Sequence, residues 1–278
     1  MTDRAPLVDS HHHLLDPSRI EYRVLRYLPE IDRFIGPDEL APLLREAGVD
    51  RTVIVQAEES EAETDYITEL AGSTNWIAGV VGWVPLADPE ATGKALERHQ
   101  GGPLVGVRHG LFWEADESWI FQDAVVESIG LLAKHGLTYD LVPMADRHWD
   151  AVAMLAERVP DLRLVIDHMG HPKIKDDEWE PWATHLSQAA EHPGAVLKLS
   201  ALDMSTWSIE VDAFRRYVDH ALEHFGPQRM MWGSNWPVSL KLQGYGVLLD
   251  TARELVAACS AEEQEAIFGG TATRTYRL

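Results

Sequence analysis

Short apolar runs rich in β-branched residues recur eight times along the chain: PLVDSH from Pro6, RTVIVQA from Arg51, IAGVVGWV from Ile77, LVGVRHG from Leu104, LTYDLV from Leu137, LRLVIDH from Leu162, AVLKLS from Ala195 and RMMWGS from Arg229. Most are nearly continuous in apolar residues, as parallel strands covered on both faces should be. Between them the period lengthens to that of helices. PDELAPLLREAG (Pro37 to Gly48) has Pro near its start and Gly at its stop, DRHWDAVAMLAERVP (Asp146 to Pro160) opens on Asp146 as N-cap and ends on Pro, and FRRYVDHALEHFG (Phe214 to Gly226) behaves alike. Eight strand–helix units without a Gly/Ser or Pro-rich linker predict an α/β fold, a single closed (β/α)8 TIM barrel forming one domain over residues 1–278. The doubly wound alternative lacks a GxGxxG turn after its first strand.

In such a barrel the loops after the strands gather at the C-terminal face, where active sites lie. Two are long. Leu14 to Gly36 carries Tyr22, Arg23, Arg26 and Tyr27, and Gly170 to Trp182 carries Lys173, Lys175 and Trp179. Both are candidate lids; covering the mouth or making a homo-oligomer contact is the alternative use.

Forty-five acidic against 24 basic residues give a formal charge of -21, a field that repels phosphate backbones and anionic lipid and so argues against nucleic acid or membrane partners. A small-molecule substrate is expected. One cysteine, Cys259, cannot form an internal disulfide, and MTDRAPLVDS lacks the basic start and apolar stretch of a secretory signal, so a cytoplasmic location is expected. His11 to His13 lie inside the first strand, which argues against an expression tag.

The same topology sorts the polar residues at strand ends into one place: His11 and His13, Gln56 and Glu58, Trp83, Arg108 and His109, Asp140, Asp167 and His168, Lys198 and Ser200, Ser234 and Asn235. Alternation puts His11 and His13 on one strand face and His12 on the other. An HxH pair with His168 as third imidazole would suit one divalent metal, zinc foremost; packed or hydrogen-bonded histidines are the alternative. Arg108 and Lys198 end otherwise apolar strands, so each needs an anionic or strongly polar partner. Either they bind a substrate carboxylate or carbonyl, or they pair internally with Asp140, Asp167 or Glu58. Trp83, Trp113 and Trp236 could wall a pocket for a ring-shaped substrate, and Asn235 in GSNWP could equally cap a following turn.

In order and spacing, DSHHHLLDP, GVRHG, LTYDLV, LRLVIDHMGHP, VLKLS and MWGSNWPVS resemble the amidohydrolase superfamily, and within it the amidohydrolase-2 group that includes sugar lactonases and pyrone dicarboxylate lactonase. The resemblance runs from Leu7 to the C-terminal IFGGTATRTYRL. It implies a distorted barrel that hydrolyses lactones at its C-terminal mouth, with His11 and His13 as metal ligands and His168 as the strand-6 histidine. It also implies a strand-8 Asp as general base, where this chain has Asn235, which cannot accept a proton at neutral pH. Strand 5 offers Asp140 where many relatives have a ligating His, so one metal is expected rather than two. Three schemes stay open: one divalent ion activating water; metal-free chemistry with His109 or His168 moving the proton while Arg108 and Lys198 polarise the carbonyl; or a weakened, ligand-binding site. Metal-dependent decarboxylation is the alternative reaction that the resemblance allows.

Overall fold

The computed structural model describes residues 5–202, 211–241 and 244–278. Eight parallel strands follow chain order around one sheet: β1 (Val8–His12), β2 (Arg51–Val55), β3 (Ile77–Gly82), β4 (Leu104–His109), β5 (Thr138–Leu141), β6 (Arg163–Ile166), β7 (Ala195–Leu199) and β8 (Met230–Trp232). Helices α1 (Pro37–Ala47), α2 (Glu61–Ser73), α3 (Pro89–Arg98), α4 (Asp123–Lys134), α5 (Asp146–Arg158), α6 (Trp182–Ala190), α7 (Val211–Phe225) and α8 (Tyr245–Leu255) lie between or after them. This is the (β/α)8 barrel that the periodicity predicts.

Local chemistry explains the elements. Pro37 occupies the first turn of α1, and Gly48 ends it in the left-handed region at φ 73°. In α7 the buried residues Phe214, Tyr217, Val218, Ala221 and Phe225 share one helical face. Asp146 is a correction: the extended N-cap of α5 is Ala145, and Asp146 sits inside the first turn, where its charge still complements the helix dipole.

The barrel closes with little sheet pairing. The segment after β8 meets β1 through an isolated bridge between His12 and Trp236, with His13 N donating to Trp236 O and Asn235 N to His11 O, both at 2.7 Å. Buried Asp9 fastens this seam, accepting from Ser234 Oγ (2.6 Å), Ser234 N (2.8 Å) and Tyr245 Oη (2.8 Å). Gly233 is required there, because a Cβ at that position would lie 2.7 Å from His11 Cβ.

Two cores result. Leu, Ile and aromatic side chains fill the space between strands and helices, while Val8, Val53, Val55, Val81, Val165 and Met231 fill the barrel interior with Ala272 and Tyr276. The last two belong to a C-terminal helix, α10 (Thr271–Tyr276), preceded by α9 (Ala261–Glu265). Tyr276 is buried below the site and donates to Asp140 Oδ2 at 2.6 Å. Among the described residues, no helix is long and apolar enough to cross a membrane.

Candidate active site

The register of β1 against β2 shifts between Asp9 and His12, and the three histidines part there. His12 Nε2 lies 2.8 Å from Thr52 Oγ1, and its ring is 6.0 Å from that of Trp76, on the helix side. His11 and His13 share the other face, with their Nε2 atoms 3.3 Å apart. His13 Nδ1 is 2.8 Å from Val55 O; a carbonyl only accepts, so Nδ1 carries the hydrogen and Nε2 presents a lone pair.

Above the valine layer lies a buried layer of charge. Lys198 Nζ stands 2.7 Å from Asp140 Oδ2, 2.9 Å from Asp167 Oδ1 and 3.2 Å from His11 Nδ1, and none of the four side chains is exposed. Lys198 thus has the internal partners that sequence left as one of its two options. Arg108 reaches into the same layer, with Nη1 3.3 Å from both Asp167 Oδ2 and His11 Nε2 and Nη2 donating to Gln56 O. Burial raises Asp140, with Lys198 opposing. Burial also acts to raise Asp167, but there the Lys198 ammonium prevails and holds the carboxyl well below the usual range. Burial lowers His11 and His168 well below the ordinary imidazole value and His13 to about 3, so all three are neutral near pH 7.

His168 is delivered by an unusual backbone. His168, Met169, Gly170 and His171 all have positive φ, between 52° and 69°, a left-handed turn that costs about 1 kcal/mol or more at each non-glycine position. Strain of this kind persists where function holds it. The turn sets the His168 ring 4.5 Å from that of His11, with Nδ1 2.8 Å from Ser200 Oγ. Asn235 is left-handed too, at φ 55°, a conformation Asn tolerates better than most residues. Its backbone N–H fixes the His11 carbonyl, and the left-handed backbone that delivers this bond is a reason for Asn independent of proton transfer.

A pocket opens over this layer, about 560 Å³ when its mouth is included, lined by His13, Gln56, Glu59 and Arg108 with an apolar wall that includes Phe112 and Trp113. The first long loop supplies Leu15, Val24 and Ile31 to that wall. It is pinned by Arg23, which bonds Glu58 and Glu59 at 2.6 Å each and lies over the Trp113 ring. The second long loop instead borders a separate groove with Met144, Arg147 and Trp149.

His11, His13, His168, Arg108 and Lys198 therefore converge as sequence predicts. His109 and Trp83 do not line the pocket. Trp83 Nε1 donates to His109 Nδ1 at 3.1 Å, which leaves Nε2 to donate to Glu114 Oε1 at 2.8 Å, and the imidazole stacks on Trp119 at 3.9 Å. Trp236 is fully buried behind the seam. Two participants went unassigned in the sequence: Glu59, one half of an acidic doublet after β2, and Tyr276, which gives no local signal. Asp167 is the internal partner that sequence offered to Arg108 and Lys198.

The donor set suits a divalent ion. His11, Asp167 and His168 each offer one ligand atom, all within 4.8 Å of one another, and Asp167 Oδ1 is ion-paired to Lys198 at 2.9 Å. His13 Nε2 adjoins this group, its 3.3 Å from His11 Nε2 matching the roughly 3.3 Å edge of a tetrahedron with zinc–nitrogen bonds of about 2.0–2.1 Å. The bonds of His13 to Val55 O and of His168 to Ser200 are of the kind that orient ligating imidazoles. Arg108 Nη1 stands among the same atoms, so an ion and this guanidinium compete for one place.

The fold and site define a hydrolytic TIM-barrel class, and the chain belongs to the amidohydrolase family, whose model matches residues 8–278. It is 34% identical to the L-fucono-1,5-lactonase of Burkholderia ambifaria over 98% of this chain and 95% of that protein. Identity to the L-fucono-1,5-lactonase of Burkholderia multivorans is 32%, over 98% and 96%. A crystal structure of an amidohydrolase from Burkholderia multivorans with bound zinc superposes with a TM-score of 0.91 at 30% identity, covering 99% of this chain and all of that one.

Proposed function

We propose that this protein, acting as one domain over residues 1–278, hydrolyses the lactone of a sugar acid, with water attacking the ester carbonyl. The observation that carries this reading is the pocket lining, where Arg108 and His13 border the open space and each lies 3.3 Å from His11 Nε2, a member of the His11, Asp167 and His168 cluster. Whole-length similarity to two L-fucono-1,5-lactonases supports the substrate class. A 1,5-lactone of a deoxy sugar is uncharged, has one apolar face for Phe112 and Trp113, and carries hydroxyls for Gln56 and Glu59. The single cysteine supports a cytoplasmic enzyme.

His11, His168 and Asp167, with His13 beside them, would hold one divalent ion, zinc by analogy with the Burkholderia multivorans structure. When bound, such an ion supplies Lewis acidity and lowers the pKa of water. Arg108 aims a guanidinium at the pocket, where it stabilises the charge that develops on the carbonyl oxygen. His168 is held through Nδ1 by Ser200 and would give its other nitrogen to the ion, which leaves no lone pair on that ring for a proton. Only in the metal-free scheme would this nitrogen take the proton from the attacking water. Asn235 acts as a positioning residue through its backbone N–H on His11 O, in the left-handed conformation that Asn tolerates. Lys198 keeps Asp167 ionised and in place rather than meeting substrate.

The test is a panel of aldono-1,4- and 1,5-lactones assayed for acid release above spontaneous opening, beside aromatic carboxylic acids assayed for carbon dioxide. Turnover of a deoxy-sugar 1,5-lactone is expected. Carbon dioxide release with every lactone left intact would replace this reading by the decarboxylase one.

A further inference from the structure

A second group of ligating side chains lies on α7. In a (β/α)8 barrel each helix runs back from the mouth toward the opposite end, so the last turns of Val211–Phe225 are remote from the pocket. His220, Glu223 and His224 stand there at i, i+3 and i+4, spacings that bring side chains onto one helical face. One ligand atom of each lies within 4.8 Å of the other two, and the two imidazole centroids are 4.4 Å apart.

The arrangement is held before any ligand arrives. His220 Nε2 is 3.0 Å from Ala183 O on α6. Because that carbonyl only accepts, Nε2 carries the hydrogen and Nδ1 keeps a free lone pair, the same outer bond that orients ligating histidines elsewhere. Trp179 and Trp182 flank the His220 ring at 5.0 Å and 5.6 Å, and the opposite face of α7 is anchored by Phe214, Tyr217, Val218, Ala221 and Phe225. The nearest guanidinium on the helix, Arg216, is directed to Asp177 and lies over Trp179 and Tyr217.

We propose that His220, Glu223 and His224 form a peripheral site for a divalent transition ion such as zinc, separate from the barrel mouth. Two imidazoles and one carboxylate favour zinc, nickel or copper over magnesium or calcium, which take all-oxygen sites. Three protein ligands leave a position open for water or for a side chain of another molecule. The net charge of -21 adds long-range attraction for a cation.

Calorimetric titration of the purified chain with zinc chloride tests this, using wild type, His224→Ala and Glu223→Gln beside His11→Ala. We expect wild type to bind one more equivalent than His224→Ala. Glu223→Gln should weaken that equivalent by at least about tenfold, the loss typical even of a group that only orients a ligand. Circular dichroism, thermal unfolding and lactone hydrolysis of both surface variants should match wild type, which separates this site from the one at the mouth. Equal stoichiometry and affinity in wild type and His224→Ala would overturn the proposal, as would loss of every zinc equivalent in His11→Ala alone.

Discussion

Lys198→Met probes the buried charge layer on which the site rests. The ammonium is fully buried and lies 2.7 Å from Asp140 and 2.9 Å from Asp167, both equally buried. Its removal leaves two carboxylates in the barrel interior with only Arg108, at 3.3 Å from Asp167, to offset them. Breaking a buried ion pair from one side costs about 3–5 kcal/mol, a large share of the roughly 5–15 kcal/mol that holds a domain folded. Burial already raises Asp140 above its ordinary value, and without Lys198 it rises further. A raised carboxyl contributes stability that is present below the unfolded pKa and lost as pH climbs through the folded one. The variant should therefore be weakest near pH 8 and recover toward pH 5. Urea unfolding at both pH values measures this, and Lys198→Met/Asp140→Asn should regain about half of the deficit at the higher pH, since one of the two stranded charges is gone. A Lys198→Met protein within about 1 kcal/mol of wild type at pH 8, or one whose deficit ignores pH, would refute the reasoning.

Other expectations follow from the same geometry. Arg108→Met should tighten zinc binding at the mouth by at least about tenfold, since a unit charge near 4 Å is worth about 4 kcal/mol at an effective dielectric of 20; weaker binding would show that Arg108 and the ion do not compete. Arg23→Ala releases the first long loop from Glu58 and Glu59 and should raise KM, while Tm moves by no more than about 2 °C because partly exposed pairs contribute about 1 kcal/mol or less; an unchanged KM would remove the loop from substrate binding. His12 and His13 are depressed by burial to about 3. Their neutral burial therefore contributes stability that is complete above about pH 6.5 and falls toward pH 3, by up to about 1.4 kcal/mol per pH unit for each ring. Urea midpoints that stay flat from pH 7 to pH 4 would contradict this.

Much of the site was legible because period and topology act together. Parallel strands buried on both faces leave few polar positions, so His11, His13, Arg108, Asp167, His168 and Lys198 stood out at strand ends, and alternation alone separated His12 from its neighbours. That same rule, applied to adjacent residues on β4, sends His109 away from the interior once Arg108 points in, and the bonds of His109 to Trp83 and Glu114 agree. What stayed hidden depends on contacts remote in sequence. Tyr276 reaches Asp140 from 136 residues away, and the β8–β1 seam hangs on Asp9 and Ser234, 225 residues apart. Left-handed backbone at His168 lacks a local signature of the kind that GSNWP gives a turn, so the tilt of its ring was not readable. Asn235 was already legible as a turn residue, though its bond to His11 O was not.

Acid release from L-fucono-1,5-lactone, followed in weakly buffered solution for wild type and Arg108→Met, addresses the central claim most directly. Wild type should open the ring well above the spontaneous rate. Arg108→Met should lose about 100- to 1000-fold in kcat, the effect of deleting one charge-stabilising donor, while remaining folded by circular dichroism. A wild-type rate equal to that of buffer, or an Arg108→Met rate equal to wild type, would contradict the assignment of this pocket as a lactone-hydrolysing site.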